Sequence, residues 1–139
     1  MFQTTECIYE ALLRKNIKSR IRETPELSAV EVSFTGKNCP TVMFLLVSHS
    51  DEGDVALRSN NLIKYPQDHQ DRVYAKINEL NFRFRFAKFV CNTERCVIDI
   101  QMDLPSCCAN PADAAVELLL RGLSILDETY TELMQGIWG

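Results

Sequence analysis

Apolar residues recur along this chain at two different periods, and the changes of period divide it into segments. Near the start, Ile8, Ala11 and Leu12 fall at helical spacing, and the aliphatic stem of Lys15 extends the stripe. Thr5 is placed to cap this helix, and Glu6 lies in its first turn. The basic run Arg14, Lys15, Lys18, Arg20 and Arg22 falls at its far end, where positive charge suits the helix dipole, and Pro25 closes the segment.

Period two follows. Val30, Val32 and Phe34 alternate with Glu31, Ser33 and Thr35, as in a strand with one wet face. Gly36-Lys37-Asn38 is a turn signal. The run Thr41 to Ser48 is apolar on both faces, which predicts a strand central in its sheet or covered on both sides. A hairpin turn with Gly53 leads into a third strand over Val55 to Ile63, interrupted by the polar Ser59-Asn60-Asn61. Pro66 ends it.

A second helix starts near Asp68, carries Val73, Ile77 and Leu80 on one side, and stops at Asn81. Phe82, Phe84 and Phe86 then alternate with Arg83 and Arg85, which predicts a fourth strand with its phenylalanines on the core and a bend at Ala87-Lys88-Phe89. After a turn at Asn92-Thr93-Glu94, the residues Cys96, Ile98, Ile100, Met102 and Leu104 alternate with Asp99, Gln101 and Asp103, giving a fifth strand antiparallel to the fourth. Asn110-Pro111 opens a last helix, with Asn as cap and Pro at the first helical position, and Gly136 ends it. Its apolar stripe is wide enough to bury one side on the sheet and another against a second subunit. Leu119, Leu123, Leu126 and Tyr130 are the candidate self-association or partner positions.

The order is α-β-β-β-α-β-β-α. It predicts an α+β, two-layer domain with an antiparallel five-stranded sheet and helices packed on it. The chain has 139 residues, a hydrophobic fraction of 46% and a charged fraction of 24%, which suits one folded domain over 1–139. Without a long apolar run or an export signal, the chain is expected in the cytoplasm and not in a membrane. Its net charge is −4, and beyond Leu104 the acids Asp113, Glu117, Asp127, Glu128 and Glu132 face only Arg121, which argues against nucleic acid as a partner.

Candidate chemistry is sparse. Asp99 and Asp103 share a strand face, and pairing with Arg83 and Arg85 on the neighbouring strand explains them as a solvated surface. Alternation would put Phe82, Phe84 and Phe86 on the face opposite the arginines, so core packing is preferred to a nucleic-acid stacking platform. Six cysteines are irregularly spaced and are read as reduced thiols. Among them Cys91 and Cys96, facing each other across a turn, and Cys107 and Cys108, before a helix, are the candidate redox thiols. Tight cysteine pairs for zinc, a nucleophile motif and a glycine-rich phosphate loop are missing, so neither a cofactor nor catalysis is expected.

The second half resembles a known family. Ile77-Asn78-Glu79-Leu80-Asn81, then Phe86-Ala87-Lys88-Phe89, then Asp103-Leu104-Pro105 ahead of the long final helix follow the pattern of the YbjN family over about residues 66 to 135. The element order is similar to the type III secretion chaperone-like fold. The YbjN family is described as bacterial sensory-transduction regulators, and the related secretion chaperones dimerise and hold extended client segments. The resemblance implies a non-catalytic homodimer with a protein or peptide ligand. The alternative is a thiol-based, redox-responsive regulator.

Overall fold

Helix α1 (Gln3–Arg14) stops before its basic run does. Asn16 takes a left-handed φ of 58°. Its N–H bonds the Leu13 carbonyl at 3.0 Å, and the Ile17 N–H reaches back to the Leu12 carbonyl at 2.9 Å. This is a Schellman closure, and asparagine supports it because its short polar side chain tolerates left-handed backbone. Thr5 lies inside the helix rather than at its cap, its hydroxyl 2.7 Å from that of Ser28 on the sheet.

Of the remaining basic residues, Arg20 and Arg22 lie in a strand, not a helix, and Lys15 and Lys18 fall in the turn and loop before it. Arg20–Thr24 forms β1, and Pro25-Glu26 turns it directly into β2, Leu27–Phe34. The computed structural model describes residues 1–139, which continue as β3 (Val42–Ser48), β4 (Val55–Lys64), α2 (Gln70–Arg83), β5 (Lys88–Asn92), β6 (Val97–Leu104) and α3 (Pro111–Trp138). The sheet has six strands rather than five, in the order β1-β2-β3-β4-β6-β5, with every pairing antiparallel.

Register gives the sheet two unlike faces. Val30, Leu46, Leu57 and Met102 form one row across four strands, all buried among the helices. Gly122 lets α3 approach this row closely, since a Cβ there would lie 2.5 Å from Met102 Cε. The adjacent row, Glu31, Leu45, Arg58, Gln101 and Lys88, belongs to the other face, and only Glu31 in it is buried. Strand β3 is central, as its pattern predicts, but its outer face is half-open: Met43 is exposed, and Leu45 and Val47 are half-buried.

The polar break in β4 is a bulge. Pairing with β6 shifts register between Ser59 and Ile63, and Asn61 adopts a φ of 57°. The Asn61 N–H left over donates to Asp99 Oδ1 at 2.7 Å. Asp99 is therefore buried and structural, whereas Asp103 pairs with Arg58 at 2.8 Å. Neither acid meets Arg83 or Arg85.

The strand expected over Phe82 to Phe86 does not form. Helix α2 continues to Arg83 because Phe84 lies four residues beyond Leu80 and extends the helical stripe of Val73, Ile77 and Leu80. Phe84 packs half-buried on the core, while Phe82 is 92% exposed and Phe86 51% exposed. On β5 it is Phe89 that enters the core, opposite Ile100. Helix α3 also runs past Gly136, where the absent side chain makes room for Lys76 of α2. Asn110 occupies the cap position of α3, but its side chain makes no capping bond.

Candidate functional site

The stripe of α3 divides once it is placed on the sheet. Leu119, Leu123 and Leu126 are buried in the chain's own core, and Tyr130 packs half-buried against it. The outward residues of this helix include Leu120, which is 40% exposed, together with Arg121 and Ser124.

The thiols also separate. On the β5–β6 hairpin Cys91 stands opposite Ile98, and Cys96 sits in the turn with a φ of 53°. The nearest polar partner of Cys91 is the Tyr65 hydroxyl, 2.9 Å from its sulfur. Burial pushes the Cys91 thiol up, against the opposing effect of the Tyr65 hydrogen bond, and so lowers its thiolate fraction. Tyr65 is itself pushed up, first by burial and then by its bond to Cys91. Cys107 is exposed in the loop before α3, and Cys108 is half-buried against the core. Cys39 is pushed up to about 11 by burial and by the nearby charge of Asp127. His, Cys, Asp and Glu nowhere gather in a group of three or more fit to hold a metal ion. No helix is long and apolar enough to cross a membrane.

A chemically distinct surface lies where α2 gives way to β5. The Ala87 N–H bonds the Arg85 carbonyl at 2.9 Å across Phe86, whose φ is 73°. This is the rare, strained form of the three-residue γ-turn, centred on a bulky aromatic residue with no glycine to relieve it. Neighbouring contacts fix the corner on both sides. Lys88 Nζ donates to the Asn81 and Phe84 carbonyls at 2.8 and 3.0 Å, closing the end of α2. Ala87 is buried beneath the turn.

The turn presents Phe86 within cation–π reach of two guanidinium groups. The Arg85 carbon lies 5.5 Å from the ring centroid and the Arg121 carbon 5.3 Å. Arg83 stands 5.1 Å over the adjacent Phe84 ring. Arg83 also bonds Glu132 at 2.7 Å, and Lys76 bonds the same carboxylate at 3.2 Å. Both cations hold the Glu132 carboxyl below its usual range, with Arg83 the larger cause. Arg121 bonds Glu117 one helical turn away at 2.9 Å. Arg85 takes part in none of the chain's ion pairs.

Phe86 separates two clefts. One, of about 370 Å³, is lined by Arg83, Phe84, Arg85, Arg121 and Ile125 as well as Phe86 itself. The other, of about 340 Å³, has Leu104, Pro105, Ala114 and Leu118 in its walls, with Asp103 and Glu117 alongside. Sequence alternation places these phenylalanines and arginines on opposite faces; the γ-turn instead brings Phe86 and Arg85 together. The one available signal was Arg121, the lone base among the acids of the last helix. No protein-family model, curated protein or solved structure matches this chain.

Proposed function

We propose that this chain is a non-catalytic binding module for a protein or peptide client, working as a homodimer in the cytoplasm. The carrying observation is Phe86, a large aromatic side chain kept half in water on a left-handed turn. Such backbone costs a residue with a Cβ roughly 1–2 kcal/mol, and enclosing the ring in the core would offset that cost. Here the ring stays outside, so the offsetting burial falls to a partner that covers it. Phe82, in the last turn of α2, is a further exposed aromatic side chain four residues before Phe86.

The YbjN-like wording of residues 66 to 135 and the expected kinship with secretion chaperones support the same reading, with the sixth strand, β1, a departure from the expected element order. The likeness to the secretion chaperones implies a dimer and an extended client. Size-exclusion chromatography with light scattering tests the first part: a dimer is expected, and a monomer at tens of micromolar would remove it. Selection of random phage-displayed peptides on the immobilised protein tests the second. Recovery of peptides that lose binding to a Phe86→Gly variant is expected. If nothing is enriched over bare support, the client-binding reading fails.

A further inference from the structure

Resting on the peptide-binding reading above, we propose that the client segment is acidic: a peptide carboxylate docks on Arg85 and Arg121 in the larger cleft, and a neighbouring apolar side chain enters the smaller cleft across Phe86. Charge carries the first half. The chain has a net charge of −4, yet the larger cleft is lined by three arginines and no carboxylate. Arg83 is committed to Glu132, but Arg85 is unpaired. The Arg121–Glu117 bond joins two exposed side chains one helical turn apart, a weak kind of pair that is readily exchanged for a better acceptor.

Geometry makes these arginines suited to a carboxylate. Stacking on an aromatic ring uses the face of a guanidinium, while its five N–H donors lie in the plane and remain free for a forked acceptor. Phe86 thus lies within cation–π reach of both guanidinium groups; the Arg85 donors bond no group of the chain, and Arg121 gives one of its donors to Glu117. The side chains of Leu104, Pro105 and Leu118 on the far side of the ring supply an apolar floor. A segment with Asp or Glu beside a leucine or aromatic residue satisfies both clefts. A nucleic acid fits less well, because the basic surface is confined to these three arginines, two of them paired with Glu132 and Glu117, and forms no continuous track along a phosphate backbone.

The phage selection described above is read here for composition. Peptides that depend on Phe86 should be enriched in Asp and Glu next to an apolar residue. Synthetic versions, labelled and titrated by fluorescence anisotropy, should bind roughly tenfold or more weakly when Asp and Glu are replaced by Asn and Gln, and equally so to Arg85→Glu. Arg85→Lys, which keeps the charge and loses the fork, should fall between. Enriched peptides without acidic residues, or binding indifferent to Arg85→Glu, would overturn the acidic-client proposal and leave peptide binding standing. A single-stranded oligonucleotide that displaces the enriched peptide at lower concentration than the unlabelled peptide itself would overturn it in favour of a phosphate ligand. Failure to enrich any peptide would remove the earlier reading with it.

Discussion

The Asn81 carboxamide bonds both backbone polar groups of Phe89, donating to its carbonyl at 3.0 Å and accepting from its N–H at 2.8 Å. Strand β5 is an edge of the sheet, and an edge strand presents unpaired peptide groups to any chain that can pair with them. Asn81 takes the position a neighbouring strand would take, from the last turns of α2. The opposite edge, β1, is short and carries Arg20, Arg22 and Glu23, which guards it by charge instead.

Replacing Asn81 with Leu therefore removes two hydrogen bonds and leaves partly buried peptide groups of Phe89 without partners. A loss of about 1–3 kcal/mol is expected in urea unfolding. Concentration-dependent association should rise as well, because the β5 edge is opened.

Phe86 should behave in the opposite way. Phe86→Gly loses two exposed cation–π contacts, each worth about 0.5–1 kcal/mol, and gains relief of left-handed strain of similar size. Its stability should lie within about 1 kcal/mol of the parent. Leu126→Ala, at a fully buried position of α3, should cost about 2–5 kcal/mol. Thermal melting of the two variants separates a residue kept for binding from one kept for the fold. A large fall in melting temperature for Phe86→Gly would show Phe86 to be structural.

The apolar side of β2 and β6 was legible from their alternation: Val30 and Val32, and Ile98, Ile100 and Met102, all reach the core, whereas Glu31 and Asp99, expected on the wet side, are buried, Glu31 by Arg20 and Arg22 and Asp99 by the bond from Asn61. Strand β1 was not, since its only apolar residue is Ile21 and one residue carries no period; the sign of it was Asn16, a helix stop inside the basic run. Phe82 to Phe86 misled because a period of two and a helical spacing of four coincide at Leu80, Phe82, Phe84 and Phe86 over so short a span. Phe86 carries none of the glycine or asparagine that marks most left-handed turns, so the arginine–phenylalanine corner had no local signature. It exists only once α3 is laid against the turn.

The six thiols should react in an order set by exposure and burial. Cys107 is the exposed one and should label first with a maleimide or a disulfide reagent. Cys39 is buried and pushed up to about 11, so almost none of it is thiolate at pH 8, and it should label last. Cys91, also pushed up, should be slow. Mass spectrometry of peptides after timed labelling resolves the order. A fast Cys91 or Cys96 that forms a mutual disulfide with glutathione disulfide would favour the redox regulator instead.

Asp127 makes the last prediction. Its carboxylate accepts the N–H groups of Lys37, Asn38 and Cys39 at 3.2, 2.8 and 3.0 Å, tying the β2–β3 connection to α3. Gly36 makes room for this, because a Cβ there would lie 2.1 Å from Asp127 Oδ1. The bond from Asn38 is the main cause that holds the Asp127 carboxyl below its usual range. A carboxyl whose pKa is lower folded than unfolded stabilises the fold fully above its unfolded value, about 4, and loses that contribution as pH falls through the lowered folded value. Glu132, also lowered, adds to the same dependence. Melting temperature should therefore be flat from neutral pH to about 5 and fall below about 4. Asp127→Asn keeps an acceptor oxygen but not the charge, so its melting temperature should be lower at neutral pH and approach that of the parent in acid. Gly36→Ala, which pushes the carboxylate away from its donors, should lower it at neutral pH as well. A parent and an Asp127→Asn variant that differ by the same amount at pH 7 and at pH 3 would mean that the charge of Asp127 does not hold the loop.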